Sequence, residues 1–557
     1  MHLSNIPEKI KNHIKDPDKV IFAIFFVCML IYYTYRMFAF APWYDELYTY
    51  NFFISRGPVY AGIHWPVPNN HLGYSALSGF IYVLTHSPYI SLRGISYLCS
   101  LGNLIMLFII GKRFMVRGFG VLLPVIYAGA WQVNNITVQG RGYALSVNMM
   151  LITCVCLIHL CFDEKDKLIY YILWAAALCI GFYTVMTTLY WVVTVCFTAL
   201  CCLLCVNKRK RLIKTVIASV FGAVGTLFAY SCVWLAIGSN LLSKDETSAY
   251  YGMYQLKVIA KSPILSLKTG AEYMLATPYI QSVSDEGYFV SFFRHWYDIL
   301  CHMYTFGGLL VFIIVLALII AVITLVARYR YIKKTSVDMT EKESISEGNK
   351  PATDNESLNV SRSLPVFSWF VICFTLVTPV TVYVQTKLPY VRVFTFYAFT
   401  VALCAAYLIY VLFGALKTYF TYGITCIICL LVFALLLGKD YNMPYGEREE
   451  AILTVMKQAD FADYCTSGHR ICLTDCNQEY MYRFLYDEYP EIYPMEEADI
   501  IMVDKDMLDP EADYHWEFYY DHSNIDFEIL DNMDKLLRNT YYEVFISKDI
   551  DLYGGSR

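Results

Sequence analysis

The stretch "PWYDELYTY" over residues 42–50 holds two adjacent carboxylates, Asp45 and Glu46, among aromatic side chains just past an apolar run. A carboxylate in such a place can take a proton from an attacking hydroxyl. Other residues able to do chemistry stand at comparable places beside apolar runs: Asn69, Asn70 and His71; Arg93; Gln139 and Arg141; Lys387 and Arg392. Arginine grips phosphate with a planar fork that stays charged. One base and several cations suit a substrate with a greasy tail and an anionic head. If the leaving group is a lipid phosphate, it departs as an anion that needs little protonation. Cations then balance the charge that develops on it. A hydrolase of sugar–sugar bonds would need a second carboxyl as acid.

The elements that must position these residues are membrane spans. The chain has 557 residues, 57% apolar and only 16% charged, against about 25% charged in soluble proteins. Apolar runs predict eleven spans, near 20–40, 89–111, 119–138, 143–162, 168–185, 189–206, 215–237, 300–327, 365–386, 393–413 and 418–438. Ionisable side chains are almost absent from them; Arg36 and His159 lie near span ends, from which they can snorkel. An ion-coupled transporter usually keeps carboxylates at mid-bilayer, so a carrier or flippase is the second reading. Lys9, Lys11, Lys15 and Lys19 put the N-terminus inside, and "GKRFMVR", "DEKDK", "NKRKRLIK" and "RYRYIKK" fall in inside loops. The first run shows no cleavage pattern and reads as a retained signal anchor. Residues 72–86 are either a twelfth span or a surface helix. The surface helix keeps "GKRFMVR" inside.

With this parity the outer pieces are loops 41–88 and 238–299, a turn at 139–142, and the tail. Residues 335–364 read as a disordered cytoplasmic linker. Residues 1–438 thus form the membrane part and 439–557 an extracytoplasmic domain. From Lys439 to Arg557 there are 28 acidic and 10 basic residues, a net −18, which leaves +13 for the rest. The tail reads as a small α/β domain with strands in "HRICLTD", "ADIIMVD", "WEFYYD" and "YYEVFIS", and helices in "EREEAILTVMKQ" and "DFEILDNMDKLLR". It has no phosphate-binding glycine loop, and a third reading makes it the docking module of an assembly protein. Most of the 19 cysteines are small hydrophobes inside spans. Cys465, Cys472 and Cys476 in the tail allow at most one bridge. In the second loop Asp245, Glu246, Asp285 and Glu286 read as surface charges, and His295 as a structural residue or a metal ligand.

With these segments in view, the chain resembles the GT-C integral-membrane glycosyltransferases that use polyprenyl-phosphate sugars, in the branch of protein O-mannosyltransferases and lipid A aminoarabinose transferases. "YDELYTY" is similar to their Asp-Glu pair in the first outer loop. "PNNHLGYSAL" stands where many members have His-Pro-Pro-Leu before a surface helix. "SLRGISYLCSLGNLIMLFIIGKRF" is similar to their Arg-led span. "VQGRGYALSV" resembles their Arg-Pro-Tyr-Ala-Leu segment, with Gly142 in place of the proline, and "LPYVRVFTFYAF" their late Arg-Tyr-Leu-Pro segment. The resemblance implies a GT-C-like helical membrane fold and an inverting transfer of a sugar from a polyprenyl-phosphate donor to a glycan, lipid or protein acceptor. It implies no nucleic-acid partner. Asp45 would be the base or orient the acceptor, and Glu46 would support it or help bind a divalent metal. Arg141 and Arg392, with Arg93, would hold the lipid phosphate, Lys387 competing with Arg392. Asn70, His71 and Tyr143 would line the substrate pocket.

Overall fold

Backbone amides in hydrocarbon have no water to bond, so long apolar runs must close their hydrogen bonds within helices. The computed structural model describes residues 16–64, 70–136, 138–237, 268, 287–304, 306–342, 355–386, 388–458, 468–486, 493–511 and 525–550. The principal helices are α1 (Pro17–Ala39), α2 (Tyr44–Phe52), α3 (Leu72–Thr85), α4 (Pro88–Phe114), α5 (Leu122–Ala128), α6 (Trp131–Ile136), α7 (Tyr143–Phe162), α8 (Leu168–Thr184), α9 (Leu189–Cys205), α10 (Arg209–Ile237), α11 (Tyr288–Cys301), α12 (Gly307–Lys342), α13 (Asn355–Gln385), α14 (Tyr397–Phe413), α15 (Thr418–Leu436), α16 (Glu447–Gln458) and α17 (Cys476–Tyr486). Among the described residues eight of them, α1, α4, α7, α9, α10, α12, α13 and α15, are long and apolar enough to cross a membrane, and α3, α8 and α14 are shorter apolar helices. The protein is thus a helical, multi-span membrane chain with a small sheet near its C-terminus.

Ten of the eleven expected spans correspond to one helix each. The run over 119–138 does not: it breaks at Gly129–Ala130 into α5 and α6, neither long enough to cross alone. The cause is a polar side chain. Asn134 Nδ2 donates to the carbonyls of Ala128 (2.6 Å) and Ala130 (2.8 Å), and the Tyr441 hydroxyl donates to Gly129 O at 2.8 Å. These bonds satisfy carbonyls that a continuous helix would use itself. The linker expected over 335–364 is helical at both ends, where α12 runs to Lys342 and α13 starts at Asn355; residues 343–354 lie outside the described residues. No described cysteine is in a disulfide.

The chain divides into two compact units. The helical unit comprises Met1–Thr34, Gly62–Tyr74 and Ile95–Asn442. Its basic loops gather at one end. Lys112 Nζ pairs with Asp16 (3.0 Å) and Asp18 (2.9 Å) at the start of α1, and Asp18 also accepts the Gly118 N–H at 2.9 Å. Arg211 at the start of α10 donates to the carbonyl of Leu160 in the last turn of α7 and to those of Asp163 and Glu164 just beyond it. Lys112 thus pairs with carboxylates at a helix start, and Arg211 bonds carbonyls left open at a helix C-terminus. At the other end, α7 begins against α8 and α9: Trp191 Nε1 donates to Ser146 Oγ at 2.9 Å, and Ser146 Oγ lies 3.1 Å from Thr188 Oγ1.

The mixed unit comprises Tyr35–Ala61, Ser75–Gly94 and Met443–Arg557. The residues after 443 therefore share a unit with the first polar loop, a grouping that the charge boundary at 438–439 does not show. Its four strands, β1 (Ile471–Leu473), β2 (Ile500–Asp504), β3 (Met533–Arg538) and β4 (Tyr542–Ser547), lie in the order β1-β2-β4-β3. β1 pairs parallel with β2, and the other pairs are antiparallel, with Ile501 opposite Phe545. One face buries Cys472, Ile501, Val503, Leu530 and Phe545 in a common core. The helix expected over 526–538 is helical only at Phe527–Asp531; the rest is β3. Pairing along β4, with a bulge between Lys535 and Leu537, overrides the local helical pattern. The strand expected in "WEFYYD" lies outside the described residues.

Candidate active site

The expected site residues fall in both units. Asp45, Glu46 and Arg93 belong to the mixed unit; Asn70, His71, Arg141, Tyr143 and Arg392 belong to the helical unit. Lys387, Asn69, Asp245, Glu246, Asp285 and Glu286 lie outside the described residues.

In the mixed unit, Asp45 and Glu46 occupy the first turn of α2, where exposed N–H groups favour negative charge. Asp45 is half-buried. Glu46 is fully buried and its two oxygens face Arg93: Nε to Oε1 and Nη2 to Oε2, each 2.8 Å. Glu46 Oε2 also accepts the Trp43 N–H at 3.2 Å, a reach back to the helix start. Arg93 spends its remaining donors on the carbonyls of Met37 (2.9 Å), Phe40 (2.8 Å) and Ala41 (3.1 Å). All five guanidinium N–H groups are thereby engaged. Arg93 is built to fix the turn between α1 and α2, and the lipid-phosphate role expected for it does not fit. A divalent metal on Glu46 does not fit either, because both oxygens already face a guanidinium. Among the described residues no group of three or more His, Cys, Asp or Glu side chains is placed to hold a metal.

In the helical unit, His71 and Arg141 meet across 70 residues of sequence. His71 is buried, and its Nδ1 accepts the Gly142 N–H at 2.9 Å. A backbone N–H can only donate, so Nδ1 carries no proton and the proton of the neutral ring sits on Nε2. Burial, together with the charges of Arg141 and Arg392, holds His71 well below the usual histidine range and keeps the ring neutral. Arg141 Nη2 stands 3.5 Å from Nε2. Two donors at that spacing can share one oxyanion oxygen. The Arg141 backbone is fixed by its N–H to Gln139 O (2.7 Å) and by Ser96 Oγ donating to Arg141 O (2.9 Å). Tyr143 closes the ring face edge-on, centroids 5.0 Å apart, and Asn70 Nδ2 donates to His64 O at 2.7 Å, holding the approach to His71.

Gly142 was not among the candidates, yet it makes this arrangement. Its backbone, at φ −72° and ψ 1°, suits any residue. Space decides: a Cβ there would lie 2.6 Å from Thr184 Cγ2 and 3.1 Å from both Cβ and Nδ1 of His71. A proline, which the resembled segment carries, would also lack the N–H that His71 accepts. Arg392 lies in the turn Val391–Phe394, half-buried, with its guanidinium 5.5 Å from the Tyr390 ring centroid. The same segment reaches α7 and α9: Tyr143, Ser146, Thr188, Trp191, Thr395 and Phe396 line one small recess. His295 on α11 is buried with its ring 6.2 Å from Phe394, and burial lowers its pKa. The helical unit thus brings His71, Arg141 and Tyr143 together, with the charge of Arg392 acting on the same ring.

No family model matches the chain, and no curated protein matches its sequence. Among solved structures the chain is similar to the archaeal oligosaccharyltransferase AglB from Archaeoglobus fulgidus in complex with an inhibitory peptide and a dolichol-phosphate (10% identity, 96% of this chain and 75% of that one, TM-score 0.47). A second structure of the Archaeoglobus fulgidus oligosaccharyltransferase, a complex with Zn and sulfate, aligns at 10% identity over 87% of this chain and 68% of that one, TM-score 0.45. ArnT from Cupriavidus metallidurans bound to undecaprenyl phosphate aligns at 10% identity over 96% of this chain and 99% of that one, TM-score 0.34.

Proposed function

We propose that the chain is an inverting glycosyltransferase that moves a sugar, a hexose or a pentose, from a polyprenyl-phosphate donor to an acceptor hydroxyl at the outer face of the cell membrane. The acceptor is a glycan, lipid or protein. The observation that carries this reading is the neutral His71, its proton on Nε2, set 3.5 Å from Arg141 Nη2 with the Arg392 charge acting on the same ring. These donors would take the oxygens of the departing lipid phosphate. In the reaction the acceptor oxygen attacks the anomeric carbon while the bond from that carbon to the phosphate oxygen breaks. The bonding pair leaves with the phosphate, and the hydroxyl proton passes to a carboxylate base, the part that the sequence resemblance gives to Asp45. One displacement inverts the anomeric centre. A phosphate anion held by two guanidinium groups needs no protonating acid, so a single carboxylate suffices. Glu46 and Arg93 position the turn that carries Asp45. The charge pattern supports a cytoplasmic N-terminus and an extracytoplasmic C-terminal region.

The test is turnover of polyprenyl-phosphate sugars by the full chain in lipid nanodiscs. Asp45→Asn is expected to lose at least about a thousandfold in kcat while still binding polyprenyl monophosphate as the wild type does. Turnover by Asp45→Asn at the wild-type rate would remove Asp45 from the mechanism.

A further inference from the structure

We infer that the region after residue 443 is the seat of α2, holding that helix at both ends and so positioning Asp45. The inference rests on Asp45 being the base; the seat itself stands on contacts within the mixed unit. A short helix leaves N–H groups open at its start and carbonyls at its end. Here the tail supplies both partners. At the start, Glu449 Oε1 accepts the Tyr44 N–H at 3.0 Å, and in the connection just before the helix Glu450 Oε2 accepts the Ala41 N–H at 2.8 Å. At the end, Arg483 donates to Asn51 O at 2.9 Å and to Ser55 Oγ at 2.8 Å. Carboxylates at the positive end and a guanidinium at the negative end also match the helix dipole.

The seat is itself fixed. Asn477 Nδ2 donates to Glu449 Oε1 at 3.3 Å, and Asn51 Nδ2 donates back to Tyr480 O at 3.1 Å. Gly446 leaves room for the first carboxylate, since a Cβ there would fall 2.0 Å from Glu449 Oε2. Between the two ends the Tyr480 ring packs against Tyr44, Tyr48 and Phe52, centroids 6.0, 6.2 and 5.3 Å away. These are one stripe of α2, spaced four apart, and Asp45 lies beside it. At nine residues, α2 is too short to hold itself as a helix in water. Its geometry depends on these partners, and so does the direction of the Asp45 carboxylate. The residues Glu449, Glu450 and Arg483 are positioning residues.

The test uses the full chain in nanodiscs and two readouts. Hydrogen exchange over residues 44–52 reports the seat. Donor turnover reports its consequence. For Arg483→Ala, and separately for Glu449→Ala with Glu450→Ala, exchange over 44–52 is expected to rise about tenfold or more, with α7 and α9 unchanged. The kcat is expected to fall at least about tenfold with the donor KM unchanged, and Arg483→Lys should recover part of both. Unchanged exchange over 44–52 in both variants overturns the seat, whatever the activity does. Raised exchange with full turnover keeps the seat and overturns Asp45 as the base. Turnover lost in Asp45→Asn but retained, with unchanged exchange, in the seat variants keeps the base and overturns the seat.

Discussion

Gly142→Ala is the smallest change that should disturb the pairing of His71 with Arg141. The backbone there is allowed for alanine, so the whole effect comes from one methyl group. That methyl would sit 2.6 Å from Thr184 Cγ2, well inside contact distance, and 3.1 Å from His71 Nδ1. Thr184 is 1% exposed and cannot swing into solvent. Relief must come from moving the 141–142 backbone away from His71, which lengthens the 2.9 Å bond to Nδ1. Overpacking of this kind costs about 1–3 kcal/mol, and a weakened hydrogen bond about 1 kcal/mol. Expressed in binding, about 1.4 kcal/mol is a tenfold loss of affinity. The assay is equilibrium binding of polyprenyl monophosphate to the purified chain, with thermal unfolding measured beside it. Thr184→Ser removes the clashing Cγ2, so the double variant should regain most of the lost affinity. If Gly142→Ala binds as tightly as the wild type, or if Thr184→Ser restores nothing, the spatial argument for His71 fails.

Arg93→Ala leaves Glu46 buried without its cation and three carbonyls without their donor, and should cost about 3–5 kcal/mol of stability. Arg93→Lys should recover little, since an ammonium cannot span the same five acceptors; a melting temperature equal to the wild type in either variant would contradict this. His71 sets a pH dependence. Its folded pKa lies below the ordinary value of 6.5, so the folded ring stays neutral where the unfolded one takes up a proton. The stability it contributes is whole above about pH 6.5 and declines on acidification by up to about 1.4 kcal/mol per pH unit, until the folded ring itself titrates. His71→Gln should flatten that decline in urea unfolding followed between pH 7.5 and 5; an equally steep decline in the variant would refute the assignment.

Hydropathy finds ten of the helices because each depends only on a local apolar run. It misses the break at Gly129–Ala130, where the Asn134 amide competes for carbonyls that only the folded backbone brings within reach. The β3 segment is misread for a related reason: six residues of "MDKLLR" carry too little periodicity, and the neighbouring β4 decides. At the site, residue types are legible and partners are not. An arginine leading a span can face a phosphate or a buried carboxylate. For Arg93 the answer is Glu46, 47 residues away. For Arg141 it is the His71 ring, 70 residues away. The trace that sequence did leave is Gly142, a glycine where the resembled segment has proline, whose meaning appears only once its N–H is seen on His71.

The proposed reaction needs the pair His71 and Arg141 to receive a lipid phosphate. The measurement that reaches it most directly is saturable binding of polyprenyl monophosphate to the wild type, Arg141→Ala and His71→Ala in nanodiscs, with an uncharged polyprenol as reference. Each substitution is expected to weaken phosphate binding about tenfold or more while leaving polyprenol binding unchanged. Equal affinity of all three proteins for the phosphate would contradict the account.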